Sequence, residues 1–270
     1  MYCDYWKLNE RPFQNVADPR FFFESEQHEE ALLRVIMTLK EQQGALVMTG
    51  EYGCGKTLVS RMAIKEMAGD SSSKLVTIVN PRLGAIEFLI AIVRELGGYA
   101  DSKLKVDVLG ELRQLLENNF KANRETALIV DDAQAIEDDD VLEEIRLLLN
   151  FQMDDLPLLH IIMLGQPELR QRISRMQQLE QRVGLWFHLA PFSEAETGKY
   201  IRHRLKVAGR TDEIFPPKAV REVHGISGGI PRRVNNICNM SLMAGWLAKV
   251  DRADKVLVQD AARSIQGVRS

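Results

Sequence analysis

Residues Gly50-Glu51-Tyr52-Gly53-Cys54-Gly55-Lys56-Thr57 satisfy the spacing G-x-x-x-x-G-K-[ST], and each fixed position has a chemical reason to be there. Glycine lets backbone N–H groups turn toward an anion with no Cβ in the way. The lysine neutralises β- and γ-phosphate oxygens, and the adjoining threonine hydroxyl ligates Mg²⁺. A helix starting here presents the positive end of its dipole to the phosphates. The pattern predicts a nucleotide site lined by Gly50, Glu51, Tyr52, Gly53, Cys54, Gly55, Lys56, Thr57 and Leu58.

A second group of acids follows an apolar run, Leu128-Ile129-Val130-Asp131-Asp132. In a parallel sheet such a strand delivers its end to the edge where ligands bind. Asp131 is expected to hold Mg²⁺, directly or through water, and Asp132 to polarise an attacking water as general base. A solvated turn after a buried strand is the competing reading. Gly165-Gln166-Pro167 ends another apolar run, which makes Gln166 a candidate sensor of the γ-phosphate or the water, against a loop glutamine making local hydrogen bonds.

Two arginines complete the set. Arg182, in Gln181-Arg182-Val183, is a candidate arginine finger presented to a neighbouring subunit's nucleotide, with Arg170, Arg172 and Arg175 as nearby competitors. Arg232 lies in Gly228-Gly229-Ile230-Pro231-Arg232-Arg233, where Pro231 suits the first helical turn. Arg232 is then expected to reach the γ-phosphate from the lid side. His160 and His188 lack partners at metal-ligand spacing and read as structural.

These residues need elements to carry them. Apolar runs of strand length at 45–49, 74–80, 126–132, 158–164 and 185–189 alternate with helical patterns at 58–67, 86–96, 109–120 and 141–151. That alternation predicts an α/β fold with a parallel sheet covered on both faces. After Pro191 the strand signal stops. Helical stretches follow at 193–208, 216–224 and 231–249, and a fourth begins near Val256. Ser193 with Glu196 fits a capping box. The expected division is an α/β nucleotide-binding domain with an N-terminal extension over 1–191 and a helical lid over 192–270. The aromatic-rich segments Arg11-Pro12-Phe13 and Phe21-Phe22-Phe23 either pack into the core or wall an adenine pocket.

Bulk properties narrow the classes. The chain has 270 residues, 45% of them hydrophobic, enough for a sizeable core. A net charge of −3 gives no global attraction to nucleic acid or anionic membrane. Cys3, Cys54 and Cys238 are too scattered for a disulfide framework or a zinc site. No signal peptide or run of membrane-spanning length is evident, so a cytoplasmic protein without direct membrane insertion is expected.

Taken together the chain resembles an AAA+ ATPase, and more narrowly the general secretion pathway protein A (ExeA-type) ATPases. The resemblance is carried by Tyr5-Trp6, Arg11-Pro12-Phe13, Asp18-Pro19-Arg20-Phe21-Phe22-Phe23, His28, Ala31-Leu32, Gly165-Gln166-Pro167-Glu168-Leu169, Gln181-Arg182, Tyr200 through Gly209, and Gly228 through Arg233. It spans nearly the whole chain. It implies ATP binding and hydrolysis with Mg²⁺, a five-stranded core of order 5-1-4-3-2, a helical lid, and nucleotide-dependent self-association into a ring or filament.

Two departures stand out. Asp132 occupies a position where AAA+ proteins usually carry Glu, and its carboxylate is one methylene shorter. Longer family members continue into a transmembrane segment and a peptidoglycan-binding domain, and neither is expected among these 270 residues. Similar AAA+ modules regulate DNA transposition by polymerising on duplex DNA. The basic residues Arg170, Arg172, Arg175, Arg182, Arg202, Arg204 and Lys206 admit that reading. A third alternative is an ATP-binding sensor with weak hydrolysis, which Asp132 suggests.

Overall fold

The computed structural model describes residues 2–41, 44–68, 72–102 and 104–265. Internal contacts divide the chain into two compact units, one of Glu26–Gly50 with Val59–Leu189, the other of Met1–Ser25, Glu51–Leu58 and Ala190–Ser270.

The first unit is built on five parallel strands: β1 (Ala45–Gly50), β2 (Ser73–Ile78), β3 (Glu125–Val130), β4 (His160–Gly165) and β5 (Val183–Leu189). Their order is β2-β3-β4-β1-β5, the order the resemblance implies. β1 and β4 are buried at every residue, as expected of central strands covered on both faces. The edge strands β2 and β5 are only partly buried.

Helices Ala85–Glu95, Lys105–Lys121 and Asp139–Leu148 cover the sheet through apolar stripes such as Phe88, Leu89, Ile92 and Val93. Helix Glu26–Lys40 was not anticipated. Its Ala31, Leu32, Val35 and Leu39 are buried at helical spacing. A short antiparallel pair, Gln152–Met153 with Leu156–Pro157, turns through Asp154 and Asp155 at φ 52° and 62°.

The second unit includes the short helix Tyr2–Tyr5 and the helices Glu194–Val207, Pro217–Ser227, Pro231–Ala248 and Lys255–Ile265. Helix Glu194–Val207 opens with the expected capping box between Ser193 and Glu196. Residues 1–25 group by internal contacts with these C-terminal helices. Tyr2, Trp6, Leu8 and Phe13 are buried in the same apolar cluster as Ile201, Val234 and Leu242. The Trp6 indole N–H donates to the Leu242 carbonyl at 2.8 Å.

Arg204 is buried here and makes no ion pair among the described residues. Its Nη2 donates to the Gln14 carbonyl at 2.9 Å, its Nε to the Pro12 carbonyl at 2.5 Å and its Nη1 to the Tyr200 hydroxyl at 3.1 Å. Its guanidinium carbon lies 4.3 Å from the Phe21 ring centroid. Arg204 is therefore removed from the surface cations that the sequence offers to DNA. Carbonyl dipoles and an aromatic face replace its water.

Candidate nucleotide site

The P-loop follows β1 directly, and the helix Lys56–Met67 begins at its lysine. Gly53 and Gly55 have φ of 91° and 109°, backbone that turns successive N–H groups inward and that other residues rarely adopt. Lys56 is buried, and its Nζ donates to the Glu51 carbonyl at 3.2 Å, across the mouth of the loop. Cys54 is buried as well. Burial pushes its thiol up to about 11, so it stays protonated and unreactive near neutrality.

Position 53 is not one of the motif's fixed glycines. A Cβ there would meet the Arg232 Cβ at 2.5 Å. Pro231 is the first residue of its helix, as expected, which sets Arg232 in the opening turn. The Arg232 N–H donates to the Gly53 carbonyl at 3.2 Å, and the Arg232 guanidinium lies over the exposed Tyr52 ring. Arg232 is thus brought to the phosphate loop itself. Tyr52 is a partner the sequence did not suggest.

In the sheet unit, the carboxyl ends of the parallel strands share one edge. β1 ends there at Gly50, β3 leads into Asp131 and Asp132, and β4 leads into Gln166. Asp131 is buried, and its Oδ1 accepts the Asp132 N–H at 2.9 Å. Asp132 is exposed, in left-handed backbone with φ 51° and ψ 39°. Gln166 caps helix Pro167–Ile173 through its backbone position and makes no side-chain cap bond. Gln134, which the sequence did not single out, lies among these groups. Its Nε2 donates to Asp132 Oδ1 at 3.2 Å, and its Oε1 accepts the Gln166 N–H at 3.0 Å.

Arg182 lies at the opposite edge. It immediately precedes β5, whose seven residues run toward the carboxyl edge. At about 3.3 Å per residue, Arg182 is roughly 20 Å from that edge. Among the described residues Arg175 and Arg182 make no ion pair. Arg172 binds Asp139 and the carbonyls of Ile136 and Glu137, and Arg170 stacks on Trp186 at 5.2 Å.

Thr49 Oγ1 is 3.0 Å from His188 Nδ1, and His160 Nε2 is 3.2 Å from a Glu125 oxygen. Among the described residues no group of three or more His, Cys, Asp or Glu is arranged to hold a metal. Mg²⁺ asks for less, usually one or two protein oxygens with phosphate and water. The Thr57 hydroxyl and Asp131 carboxylate have that hard-oxygen chemistry.

A family model described as an AAA domain matches residues 39–173, half of the chain. The chain belongs to the AAA domain family. It is 35% identical over 272 residues to General secretion pathway protein A of Aeromonas hydrophila, across 100% of this chain and 49% of that protein. The chain thus spans about half the length of this curated relative. Among solved AAA-like structures it is similar to the Aeropyrum pernix ORC2 protein in its ADPNP-ADP complexes, with a TM-score of 0.69 and 19% identity over 94% of this chain and 71% of that one. It is also similar to the Thermotoga maritima RuvB Holliday junction branch migration motor, with a TM-score of 0.59 and 15% identity over 88% of this chain and 68% of that one. At such identities the likeness is one of fold: an AAA+ sheet followed by C-terminal helices. Among the described residues no helix of this AAA chain is long and apolar enough to cross a membrane.

Proposed function

We propose that this chain binds ATP with Mg²⁺, hydrolyses it, and couples the cycle to self-assembly or to remodelling of a partner complex of the secretion, pilus or envelope type. The observation that carries the reading is the P-loop: two left-handed glycines, a buried lysine and a helix that starts at that lysine. Backbone amides and Lys56 would bind the β- and γ-phosphates, and Thr57 and Asp131 would hold Mg²⁺. Asp132 would take the proton of the attacking water. Gln166 and Arg232 would contact the γ-phosphate.

Arg182 fits a role in trans. It sits at the amino edge of the sheet, and its guanidinium makes no ion pair among the described residues. We therefore assign it to a neighbouring copy's nucleotide, where it would offset transition-state charge. The similarity to General secretion pathway protein A supports an envelope-related partner.

Phosphate release that is present in wild type and absent in Lys56→Ala is the expected result. Equal rates in the two would sink hydrolysis and leave a sensor that only binds ATP. A DNA-regulator reading rests on fewer cations than the sequence offers, since Arg204 is buried and Arg172 is bound to Asp139. It requires an ATP-dependent, salt-sensitive mobility shift of duplex DNA.

A further inference from the structure

Asp132 stands in backbone that few residues accept. Aspartate and asparagine are the types, after glycine, that visit the left-handed region most readily. Its φ of 51° and ψ of 39° therefore give a local reason for Asp where a longer acid is usual. The residue precedes the 3-10 turn Ala133–Ala135, yet its carboxylate does not cap that turn. It accepts from the Gln134 side chain instead, at 3.2 Å.

The Gln134 amide has its orientation dictated by chemistry. A backbone N–H can be met only by an acceptor, so the Gln134 oxygen faces the Gln166 N–H, at 3.0 Å. The NH₂ end is then the end left for Asp132, and a carboxylate is its natural partner. The fit is close: a Cβ on Gly165 would come 3.1 Å from Gln134 Oε1. One half-buried side chain thus ties the acid after β3 to the residue that follows β4.

We infer that Gln134 is a positioning residue for hydrolysis, its amide fixing the Asp132 carboxylate relative to the end of β4. A shorter acid has less reach, and a donor that holds it in one place offsets the loss of choice. The inference rests on the reading of Asp132 as the water-activating group.

The test compares wild type, Gln134→Leu, Gln134→Glu, Asp132→Asn, and Asp132→Asn combined with Gln134→Leu. Each is measured for steady-state ATP turnover and for equilibrium ATP binding, with Lys56→Ala as the inactive reference. Leucine removes both hydrogen bonds. Glutamate keeps an acceptor for Gln166 and sets like charge against Asp132. Both single variants at Gln134 should lose about tenfold or more in kcat, the worth of a charge-assisted hydrogen bond. ATP affinity should stay within about twofold, since a group acting only on the acid leaves binding alone. Gln134→Leu should cost nothing further once Asp132 is Asn.

Wild-type turnover in both Gln134 variants overturns the inference. So does a parallel loss of ATP affinity, or an undiminished loss in the Asp132→Asn background. If Gln134→Leu fails to fold, the nearly isosteric Gln134→Glu decides. Wild type no faster than Lys56→Ala would instead overturn the hydrolysis reading, so the two failures are told apart.

Discussion

The Arg232 guanidinium carbon lies 4.2 Å from the centre of the Tyr52 ring. With the main-chain bond from Arg232 to Gly53, this gives the phosphate loop two attachments to the start of one lid helix. Stacking of a cation on an exposed aromatic face contributes about 0.5–1 kcal/mol. Tyr52→Ala should therefore lower denaturant stability by about that amount, and Tyr52→Phe, which keeps the ring, should not. Identical midpoints for Tyr52→Ala and wild type would show that the stack contributes nothing.

Gly53 is the more sensitive position. Alanine there meets both a φ of 91° and the Arg232 Cβ at 2.5 Å. Relieving the clash moves either the loop or the helix. Gly53→Ala should weaken ATP binding by about tenfold or more, a cost of about 1.4 kcal/mol or above. Isothermal titration with ATP gives the answer, and wild-type affinity would contradict the geometry.

Arg204 holds residues 12–14 through the Pro12 and Gln14 carbonyls. An ammonium group cannot reproduce the flat fork that serves both carbonyls and stacks on Phe21. Arg204→Lys should cost about 2–3 kcal/mol, because buried acceptors are left unmet. Guanidinium chloride titration measures the loss. A change below about 0.5 kcal/mol, the scale of a surface substitution, would mean the carbonyls find water.

Two histidines make stability fall in mild acid. Burial pushes the His160 pKa below its ordinary value, although the Glu125 carboxylate at 3.2 Å opposes the shift. Burial is the larger effect, because the ring is fully enclosed while Glu125 is partly solvated. His203 is lowered likewise, by burial and then by Arg204. The unfolded chain then binds more protons than the folded one. Stability is complete above the unfolded histidine pKa, about 6.5, and declines as pH falls below it, by up to about 1.4 kcal/mol per pH unit for each group. Urea midpoints at pH 7.5 and 5.5 should differ in that direction, with part of the difference removed in His160→Gln. A higher midpoint at pH 5.5 would contradict this sign.

The sheet was legible because its strands are unbroken apolar runs of the right length. β1 in particular runs straight into a loop whose residues have no other common use. Asp131, Gln166 and Arg232 were legible from position, being the first polar residues after a strand or at a helix start. Helix Glu26–Lys40 was not legible although Ala31, Leu32, Val35 and Leu39 carry its period, because the exposed Leu33 blurs the stripe. The destination of Trp6 and Phe13 was not legible, since their partners lie about two hundred residues away. Gln134 was invisible for a different reason. Its bridge exists only because Asp132 turns left-handed, and nothing in the order Asp131-Asp132-Ala133-Gln134 announces that turn.

Trp6 donates to a carbonyl 236 residues further along, and Arg204 to one 190 residues back. The unit of residues 26–50 and 59–189 can close while the chain is still being made. The other unit cannot, because Tyr2, Trp6 and Phe13 wait for Val234, Leu242 and Val258 to be synthesised. At about 5–20 residues per second that wait lasts roughly 10–50 s. Throughout it Tyr2, Trp6 and Phe13 are bare aromatic side chains open to chaperones. The residues that would grip phosphate, grouped with this late unit, take their final shape only after Val258 has been made.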